Sequence, residues 1–311
     1  MLSVGVITYN HSYYIRQCLD SILMQKVDFD YEIVIGDDCS NDGTQDVLQE
    51  YLRQYPNKFV LLLNDHNKGI SKNYQNVLSR CKGKYVALCE GDDYWTTEDK
   101  LQKQVDFLES HEKYGFVGAY SQLLLPDGQI IEDKYDYMPK PVVENGWEMY
   151  GDVFEYAKSG PVTRTVSLCF RRFIIEPYLK YEGLGNDLVL QTVLAKHSWF
   201  AKYGRTMTMY RQGGVSTDRH SFEKKMYYND WYVQNRLLQK ALFPYDCNWD
   251  EDELSDRGKY IRLCHAIQMR DWRKAVEEKR LLRTSTYKQK RCSKFLFGPI
   301  SCWLLSFFKG K

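Results

Sequence analysis

The chain has 311 residues, of which 43% are hydrophobic and 15% aromatic, and this places it among globular proteins with one large core or two smaller ones. The nine cysteines are odd in number and contain no C-x-x-C pair, which argues against a disulfide framework or a zinc site and favours reduced, buried thiols. The first residues lack the basic and apolar regions of a secretion signal, so a cytoplasmic protein is expected.

The formal net charge of +2 conceals an uneven distribution. Residues 257–311 contain fifteen Lys or Arg and three Asp or Glu, a local net charge of +12, which leaves −10 for the rest. The chain then ends in the apolar run FLFGPISCWLLSFF at 295–308, which is shorter than the roughly 20 residues of a membrane-spanning helix. Two interpretations stay open for the predicted helical extension at 221–311: its end lies on the anionic inner face of the cell membrane, or it docks on the protein's own core.

Strand-like and helix-like patterns alternate through the first 90 residues. An apolar run at Leu2–Thr8 predicts a strand, and the segment at 13–26 places its apolar residues on one helical face. Further strands are predicted at 32–37, 58–63 and 85–89, with helices at 44–55 and 71–81 between them. Because apolar strands separated by helices form parallel βαβ units, the pattern predicts an α/β fold with helices on both faces of the sheet.

Each predicted strand ends in polar residues, which are Thr8 to His11, Asp37 and Asp38, Asn64 and Asp65, and Glu90 to Asp93. In open α/β sheets ligands bind outside the carboxyl ends of the strands, so one edge of the sheet is expected to carry the chemistry. Neither G-x-G-x-x-G nor G-x-x-x-x-G-K-[ST] occurs, and this argues against a Rossmann dinucleotide site and a P-loop.

The segment YVALCEGDDYW at 85–95 places three carboxylates within four residues at the end of a buried strand. Like charges repel and lose hydration near a core, so Glu90, Asp92 and Asp93 are expected to hold a cation or to lie in water. Mg²⁺ and Mn²⁺ are bound by one or two carboxylates together with phosphate oxygens of a substrate. A free carboxylate such as Asp38, at the same edge, can accept a hydrogen bond from a ring N–H such as that of uracil.

The segment DDCSNDGT at 37–44 has a structural explanation as well. Asp42 and Gly43 are typical turn formers, and Thr44 is a candidate N-cap for the helix that follows. The pair Asp37 and Asp38 is not explained in this way, so these two residues remain candidates for a functional site.

Four motifs in order, VITYN, EIVIGDDCSNDGT, NKGISKN and GKYVALCEGDDYW, resemble the inverting family 2 glycosyltransferases with the GT-A fold. The resemblance is strong over about residues 2–110 and weaker to about residue 220. It implies a GT-A, Rossmann-like, mostly parallel sheet flanked by helices, in a domain at 1–220. The half at 1–110 would bind the nucleotide sugar, and the half at 111–220 would bind the acceptor.

The resemblance also implies roles for individual residues in binding the donor. The donor would be bound by Thr8 and Tyr9 in the nucleotide pocket, Asp38 at uracil with Asp37 in support, Lys72, Glu90, Asp92 and Arg211. The family's D-x-D motif falls on the E-G-D-D turn, where Asp92 and Asp93 would hold Mn²⁺ or Mg²⁺ and Glu90 would make a ribose or water-mediated contact. Trp95 is either a wall under the sugar or acceptor, or a core residue.

The second half contributes the expected base. TRTVSLCFRR at 163–172 predicts a strand on the acceptor side, and a helix is predicted to begin near Asp187. Asp187 matches the family's general base and is also a good N-cap, and both roles are compatible. Arg211 and the following glycine pair would form a loop over the donor diphosphate.

The implied activity is a single displacement with inversion, from a nucleotide sugar, expected to be a UDP-sugar, to a hydroxyl of a glycan or polyprenyl-linked acceptor in surface polysaccharide synthesis. A nucleotidyltransferase would also place acids around a metal, but no glycine-rich nucleotide loop with a following basic residue is found near the N-terminus. A non-catalytic relative should lose the metal acids or the base, and both are present. No nucleic-acid-binding module is recognised.

Overall fold

The computed structural model describes residues 1–133, 138–181, 183–184, 186–212, 222–247, 249–269 and 271–282. The chain divides into two compact units, Met1–Thr217 and Asp218–Lys311. The apolar run at 295–308, with its predicted membrane or core contact, lies outside the described residues. In the part of the chain that is described, no helix is long and apolar enough to cross a membrane.

The first unit is built on a single mixed sheet with helices on its faces. Its elements in chain order are β1 (Leu2–Thr8), α1 (Ile15–Leu23), β2 (Tyr31–Asp37), α2 (Thr44–Gln54), β3 (Phe59–Leu63), α3 (Ile70–Arg80), β4 (Tyr85–Glu90), β5 (Tyr94–Trp95), α4 (Lys100–Ser110), β6 (Tyr114–Leu124), β7 (Ile130–Glu132), β8 (Val142–Glu144), β9 (Trp147–Gly151), α5 (Phe154–Ala157), β10 (Cys169–Arg171), α6 (Asp187–His197) and β11 (Trp199–Arg211).

The first half of the sheet is parallel, with the strand order β3-β2-β1-β4. Every residue of β1 is buried, as are all but the last of β4, because helices cover both faces of these strands. The alternation of strands and helices in the sequence therefore predicted this half correctly, and the α/β prediction is confirmed. The register pairs Thr8 with Asp37 and Ile7 with Glu90, so the polar strand ends lie side by side at one edge.

The second half is mixed. β10 pairs antiparallel with both β4 and β6, β6 pairs parallel with β11, and β9 and β8 continue the sheet in antiparallel pairs. The prediction of one strand over 163–172 is correct only for Cys169–Arg171, since Thr165–Ser167 and Arg172–Ile174 form 3₁₀ turns. A hydrogen-bonded strand is therefore limited to the three residues between β4 and β6.

The second unit contains three described helices, α7 (Phe222–Leu242), α8 (Glu251–Gln268) and α9 (Trp272–Leu281). Leu263 and Ala266 of α8 are buried against Ala275 of α9 and the nearby Leu282. An ion pair of 2.7 Å joins Arg262 Nε to Glu278 Oε1 between the same two helices.

Candidate functional site

The loops that follow β1 and β2 are joined by hydrogen bonds from backbone N–H groups to side chains. The N–H of Asn10 donates to Ser40 Oγ at 2.8 Å, that of His11 to Thr44 Oγ1 at 2.9 Å, and that of Ser12 to Asp42 Oδ2 at 2.9 Å. Asp42 also accepts from Thr44, and these bonds lower its pKa to about 2 against the opposing effect of burial. Asp42 is thus a structural turn residue, as one of the two explanations of this segment predicted.

Gly43, in the left-handed region at φ +97°, occupies the N-cap position of α2, and Thr44 is the first helical residue. The prediction that Thr44 is the N-cap is therefore wrong by one residue. A left-handed backbone at this position favours glycine, which has no Cβ to clash.

The two consecutive aspartates at the end of β2, Asp37 and Asp38, are both buried and both accept hydrogen bonds from protein groups. Asp37 accepts from the Ser40 N–H at 3.0 Å, from the Ser40 hydroxyl and from Gln45 Nε2 at 2.6 Å. The Asp37 carboxylate thus stabilises the loop that follows β2, and in this way it would support Asp38.

Asp38 Oδ1 accepts from Asn64 Nδ2 at 2.9 Å and from the Lys68 N–H at 2.8 Å, and its Oδ2 accepts from the Gly69 N–H at 2.8 Å. The expectation of a free carboxylate at Asp38 is therefore wrong. The loop between β3 and α3 fills most of its acceptor positions, although Oδ2 retains one.

The acidic turn after β4 is packed closely against the end of β1. A Cβ added to Gly91 would lie 2.8 Å from Thr8 Oγ1 and 3.0 Å from His11 Nδ1, so only glycine allows this approach. The turn is closed by the Asp93 N–H, which donates to the Glu90 carbonyl at 3.0 Å. This geometry brings Thr8 and the three acids together, as expected.

Arg211, the last residue of β11, fixes the same turn from the other side. Its backbone N–H donates to Asp93 Oδ1 at 2.8 Å, and its Nε donates to the Asp92 carbonyl at 2.8 Å. The guanidinium also donates to Gln17 and lies over the rings of Tyr14 and Tyr94, with 4.8 and 5.2 Å to their centroids. Arg211 therefore lies against the acidic turn, and the glycine pair after it lies outside the described residues.

Two acids of the turn, Glu90 and Asp93, have strongly perturbed pKa values. Burial, reinforced by the charge of Asp92, raises the pKa of Glu90 to about 8. Burial also raises the pKa of Asp93 well above its ordinary value, with further contributions from Asp92 and Glu90. Perturbed carboxyl groups in a cluster are typical of functional sites.

Several polar atoms at this edge are buried and find no hydrogen-bond partner among the described residues. They are Thr8 Oγ1, His11 Nδ1, Tyr74 Oη, Glu90 Oε2 and Asp93 Oδ2. Buried polar groups are normally satisfied, so this edge of the sheet carries hydrogen-bonding capacity that the described residues do not use. His11 Nε2 lies 3.9 Å from Asp92 Oδ2 at the same place.

In the described part of the chain, no group of three or more His, Cys, Asp and Glu side chains is arranged to hold a metal ion. Mg²⁺ and similar ions are often held by only one or two carboxylates, with water and substrate phosphates as the other ligands. The unpartnered Asp93 Oδ2 and the adjacent, partly exposed Asp92 fit such a two-carboxylate site. A bound cation would also favour the charged forms of acids whose pKa is now raised.

Asp187 is the first residue of α6, and its N-cap is Asn186, whose Oδ1 accepts from the Leu188 N–H at 3.0 Å. The prediction that Asp187 is the N-cap is therefore wrong by one residue, although Asp187 Oδ1 accepts from the same N–H at 2.9 Å. Burial raises the pKa of Asp187, and Arg164 opposes this effect. The charge of Asp187 in turn raises the pKa of Glu90, so the predicted base lies near the acidic turn.

The remaining predicted residues are placed as follows. Trp95 is 1% exposed, its Nε1 donates to the Val166 carbonyl at 2.9 Å, and it is part of the main core. A wall under a sugar must be exposed, so the acceptor-side assignment of Trp95 is corrected to the alternative of a core residue. Tyr9 is 41% exposed beside the β1 end, and Lys72 is exposed on α3.

The sequence interpretation gave no role to Tyr74, Arg164 or His11. His11 lies three residues beyond the end of β1, and this position near a strand end was the signal that could have marked it. Arg164 pairs with Asp133 at 2.5 Å and lies over the ring of Tyr210, contacts that join parts of the chain far apart in sequence. No local pattern indicates such contacts.

The profile of the glycosyl transferase family 2 matches residues 3–159, which include the parallel half of the sheet and the acidic turn. This chain belongs to glycosyl transferase family 2. An uncharacterised protein of Mycobacterium tuberculosis, Rv1520, is 44% identical over 110 residues, which are 35% of this chain and 32% of that protein. TuaG of Bacillus subtilis, named for teichuronic acid biosynthesis as a glycosyltransferase, is 37% identical over 141 residues, 45% of this chain and 54% of TuaG. The chain thus matches between about a third and a half of the length of these relatives.

Two solved structures share the fold at low identity. TarS of S. aureus in complex with UDP-GlcNAc has a TM-score of 0.56 at 15% identity, covering 91% of this chain and 81% of the other. The mannosyltransferase PcManGT of Pyrobaculum calidifontis, in complex with GDP-Man and Mn²⁺, has a TM-score of 0.53 at 16% identity, covering 99% and 79%. The GT-A fold predicted from the resemblance is confirmed.

Proposed function

We propose that this glycosyl transferase family 2 protein is a metal-dependent, inverting glycosyltransferase. It would transfer a sugar from a nucleotide sugar, most simply a UDP-sugar, to a hydroxyl of a glycan or polyprenyl-linked acceptor in the synthesis of a surface polysaccharide. The observation that carries the proposal is the convergence of the acidic turn, Arg211 and Asp187 at the carboxyl edge of the sheet, with buried polar atoms left unpartnered among the described residues.

The donor is proposed to lie along the ends of β1, β2 and β4. Thr8 and Tyr9 would line the nucleotide pocket, and Asp38 would use its remaining Oδ2 acceptor position for the base, while Asp37 keeps the loop in shape. Asp92 and Asp93 would hold Mn²⁺ or Mg²⁺, which supplies positive charge for the departing diphosphate. PcManGT with GDP-Man and Mn²⁺ supports a divalent metal in a protein of this fold.

The chemical step proposed for the chain's own residues is proton removal by Asp187. Its raised pKa makes the carboxylate a stronger base than an exposed aspartate. The acceptor hydroxyl gives its proton to Asp187, and its oxygen bonds to the anomeric carbon from the face opposite the nucleotide. The bond from that carbon to the diphosphate oxygen breaks, so the configuration inverts without a covalent enzyme intermediate.

The experiment is a panel of nucleotide sugars, including UDP-glucose, UDP-galactose, UDP-N-acetylglucosamine, UDP-uronates and GDP-mannose, with measurement of nucleotide release. At least one donor should release nucleotide with Mn²⁺ or Mg²⁺ and not in excess EDTA. Asp92→Asn should abolish release, whereas Asp106→Asn, which neutralises an exposed aspartate of α4, should not. Release that survives EDTA would exclude metal dependence, and no release from any donor would contradict the transferase proposal.

The peripheral membrane position is proposed from the sequence alone. Its test is removal of residues 287–311, which should shift the protein from anionic vesicles to the supernatant while donor hydrolysis is retained. A truncated chain that aggregates or unfolds would show that the tail belongs to a core.

A further inference from the structure

Tyr74 in α3 is a buried tyrosine whose hydroxyl has no evident structural purpose. The residue is 4% exposed, and its Oη has no hydrogen-bond partner in the described part of the chain. A buried hydroxyl without a partner destabilises a folded protein, and a phenylalanine of the same shape would avoid that cost. The Tyr74 hydroxyl is therefore expected to have a role other than packing.

The position of Tyr74 is fixed by its neighbours on α3. Asn73 Nδ2 donates to the Gly36 carbonyl of β2 at 2.8 Å, which holds the helix on the sheet. Gln75 Nε2 donates to the Leu179 carbonyl at 2.6 Å, which joins the helix to the segment that precedes α6. These two bonds, from the residues on either side, fix the turn of α3 that carries Tyr74 between β2 and the segment at Leu179.

Two carboxyl groups are close enough to the Tyr74 hydroxyl to act on it electrostatically. After burial, the charges of Glu90 and Asp187 are the next largest influences that raise the pKa of Tyr74, so the phenol stays protonated near neutral pH. Conversely, the Tyr74 hydroxyl lowers the pKa of Glu90. Glu90 Oε2 is itself buried without a partner among the described residues. The Tyr74 hydroxyl can thus donate a hydrogen bond, and the two carboxyl groups near it can accept one. It lies where the half of the domain that binds the nucleotide sugar meets the proposed base.

We propose that Tyr74 is a positioning residue for sugar transfer, whose hydroxyl holds the carboxyl groups of Glu90 and Asp187 in the arrangement that the reacting complex needs. This inference rests on the proposed function, in which Asp187 is the base and Glu90 contacts the donor. The hydroxyl bonds to no reacting atom. It acts through the two acids, so its loss should affect turnover more than donor binding.

The test is Tyr74→Phe, which removes one oxygen and leaves the packing. With the donor that the wild type turns over, kcat should fall about tenfold or more while KM for that donor changes by less than about threefold. The affinity for the corresponding nucleoside diphosphate with Mn²⁺, measured by calorimetry, should stay within the same range. The unfolding temperature should be unchanged or higher, because an unpartnered buried hydroxyl is removed.

Tyr31→Phe is the matched control. Tyr31 is 8% exposed at the opposite end of the sheet, and its hydroxyl donates to the Ile22 carbonyl at 3.1 Å. Removing this bonded hydroxyl should lower the unfolding temperature and leave kcat unchanged. The pair of variants therefore separates loss of a structural hydrogen bond from loss of a positioning contact.

A double-mutant cycle tests whether Tyr74 affects kcat through Glu90. In a Glu90→Gln background, Tyr74→Phe should reduce kcat by much less than it does in the wild type, because the two groups act together. Any of three results would overturn the inference. They are a wild-type kcat in Tyr74→Phe, a loss of stability or nucleotide affinity that matches the loss of kcat, and effects of Tyr74→Phe and Glu90→Gln on kcat that are fully additive. If the wild type itself turns over no donor, it is the proposed function that fails.

Discussion

The acidic turn is predicted to reduce the stability of the free protein, and Glu90→Gln tests this directly. The pKa of Glu90 is raised from 4.5 to about 8, so its carboxyl group is largely protonated at pH 7 in the folded chain and ionised in the unfolded one. At pH 7, about 2.5 units above the pKa of Glu90 in the unfolded chain, keeping this carboxyl group protonated lowers the free energy of unfolding. The decrease is about 3 kcal/mol, at roughly 1.4 kcal/mol per pH unit. Glutamine has no proton to hold, so the variant avoids this cost.

The sign of the pH dependence follows from the direction of the shift. A raised folded-state pKa contributes stability that is present below the unfolded pKa and is lost as the pH rises toward the folded one. Glu90→Gln should therefore be more stable than the wild type by up to about 3 kcal/mol at pH 7, and by less than about 1 kcal/mol at pH 5. The pKa of Asp93 is also raised, so the unfolding free energy of the variant should keep part of its dependence on pH.

The assay is urea unfolding of the wild type and the variant at pH 5, 7 and 8 in EDTA, so that no divalent metal offsets the effect. Glu112→Gln, at an exposed glutamate, is the control and should change the unfolding free energy by no more than about 0.5 kcal/mol. A Glu90→Gln protein that is equally or less stable at pH 7, or whose advantage does not shrink at pH 5, would refute the reasoning.

Three further variants separate structural from chemical roles. Asp187→Asn should lower the transfer rate about 10²-fold or more. Its stability should change little, because Asn186 is the N-cap of α6, and turnover comparable to that of the wild type would show that the base is another residue. Asp38→Asn should cost about 1–3 kcal/mol in urea unfolding, because the N–H groups of residues 68 and 69 lose a charged acceptor, and unchanged stability would contradict this. Arg211→Met should weaken binding of UDP with Mn²⁺ in calorimetry by loosening the Asp92 turn, and wild-type affinity would exclude that role.

The parallel half of the fold was predictable because its pattern is local and strong. Its strands are apolar runs, and β1, β2 and β3 are each followed by an amphipathic helix. The predicted strand at 2–8 therefore matches β1, and the predicted strand at 85–89 falls one residue short of β4. The second half was not predictable in the same way. β8 and β10 have three residues each and β5 has two, and such short strands are selected by their partners in the sheet rather than by their own sequence.

The candidate site was predictable where a residue follows a strand and less so where its partners are distant. The strand ends located the acidic turn, but they could not indicate that Asp38 would accept bonds from residues 68 and 69, about thirty positions away. Trp95 lies two residues after the last of the acids, and its position suggested a wall of the site. In the structure its indole enters the core, while Tyr94, one residue earlier, lies beside Arg211.

The buried acids and the unpartnered hydroxyl point to one physical property of this edge of the sheet. Glu90 and Asp93 have pKa values raised by burial and by repulsion among the acids of the turn, and Tyr74 buries a hydroxyl that makes no hydrogen bond within the described residues. Each of these features destabilises the free protein. A divalent cation and a diphosphate would satisfy the acids, so ligand binding should stabilise this edge more than its contact area alone would suggest. The same residues that weaken the free fold are therefore those proposed to hold the donor and orient the base.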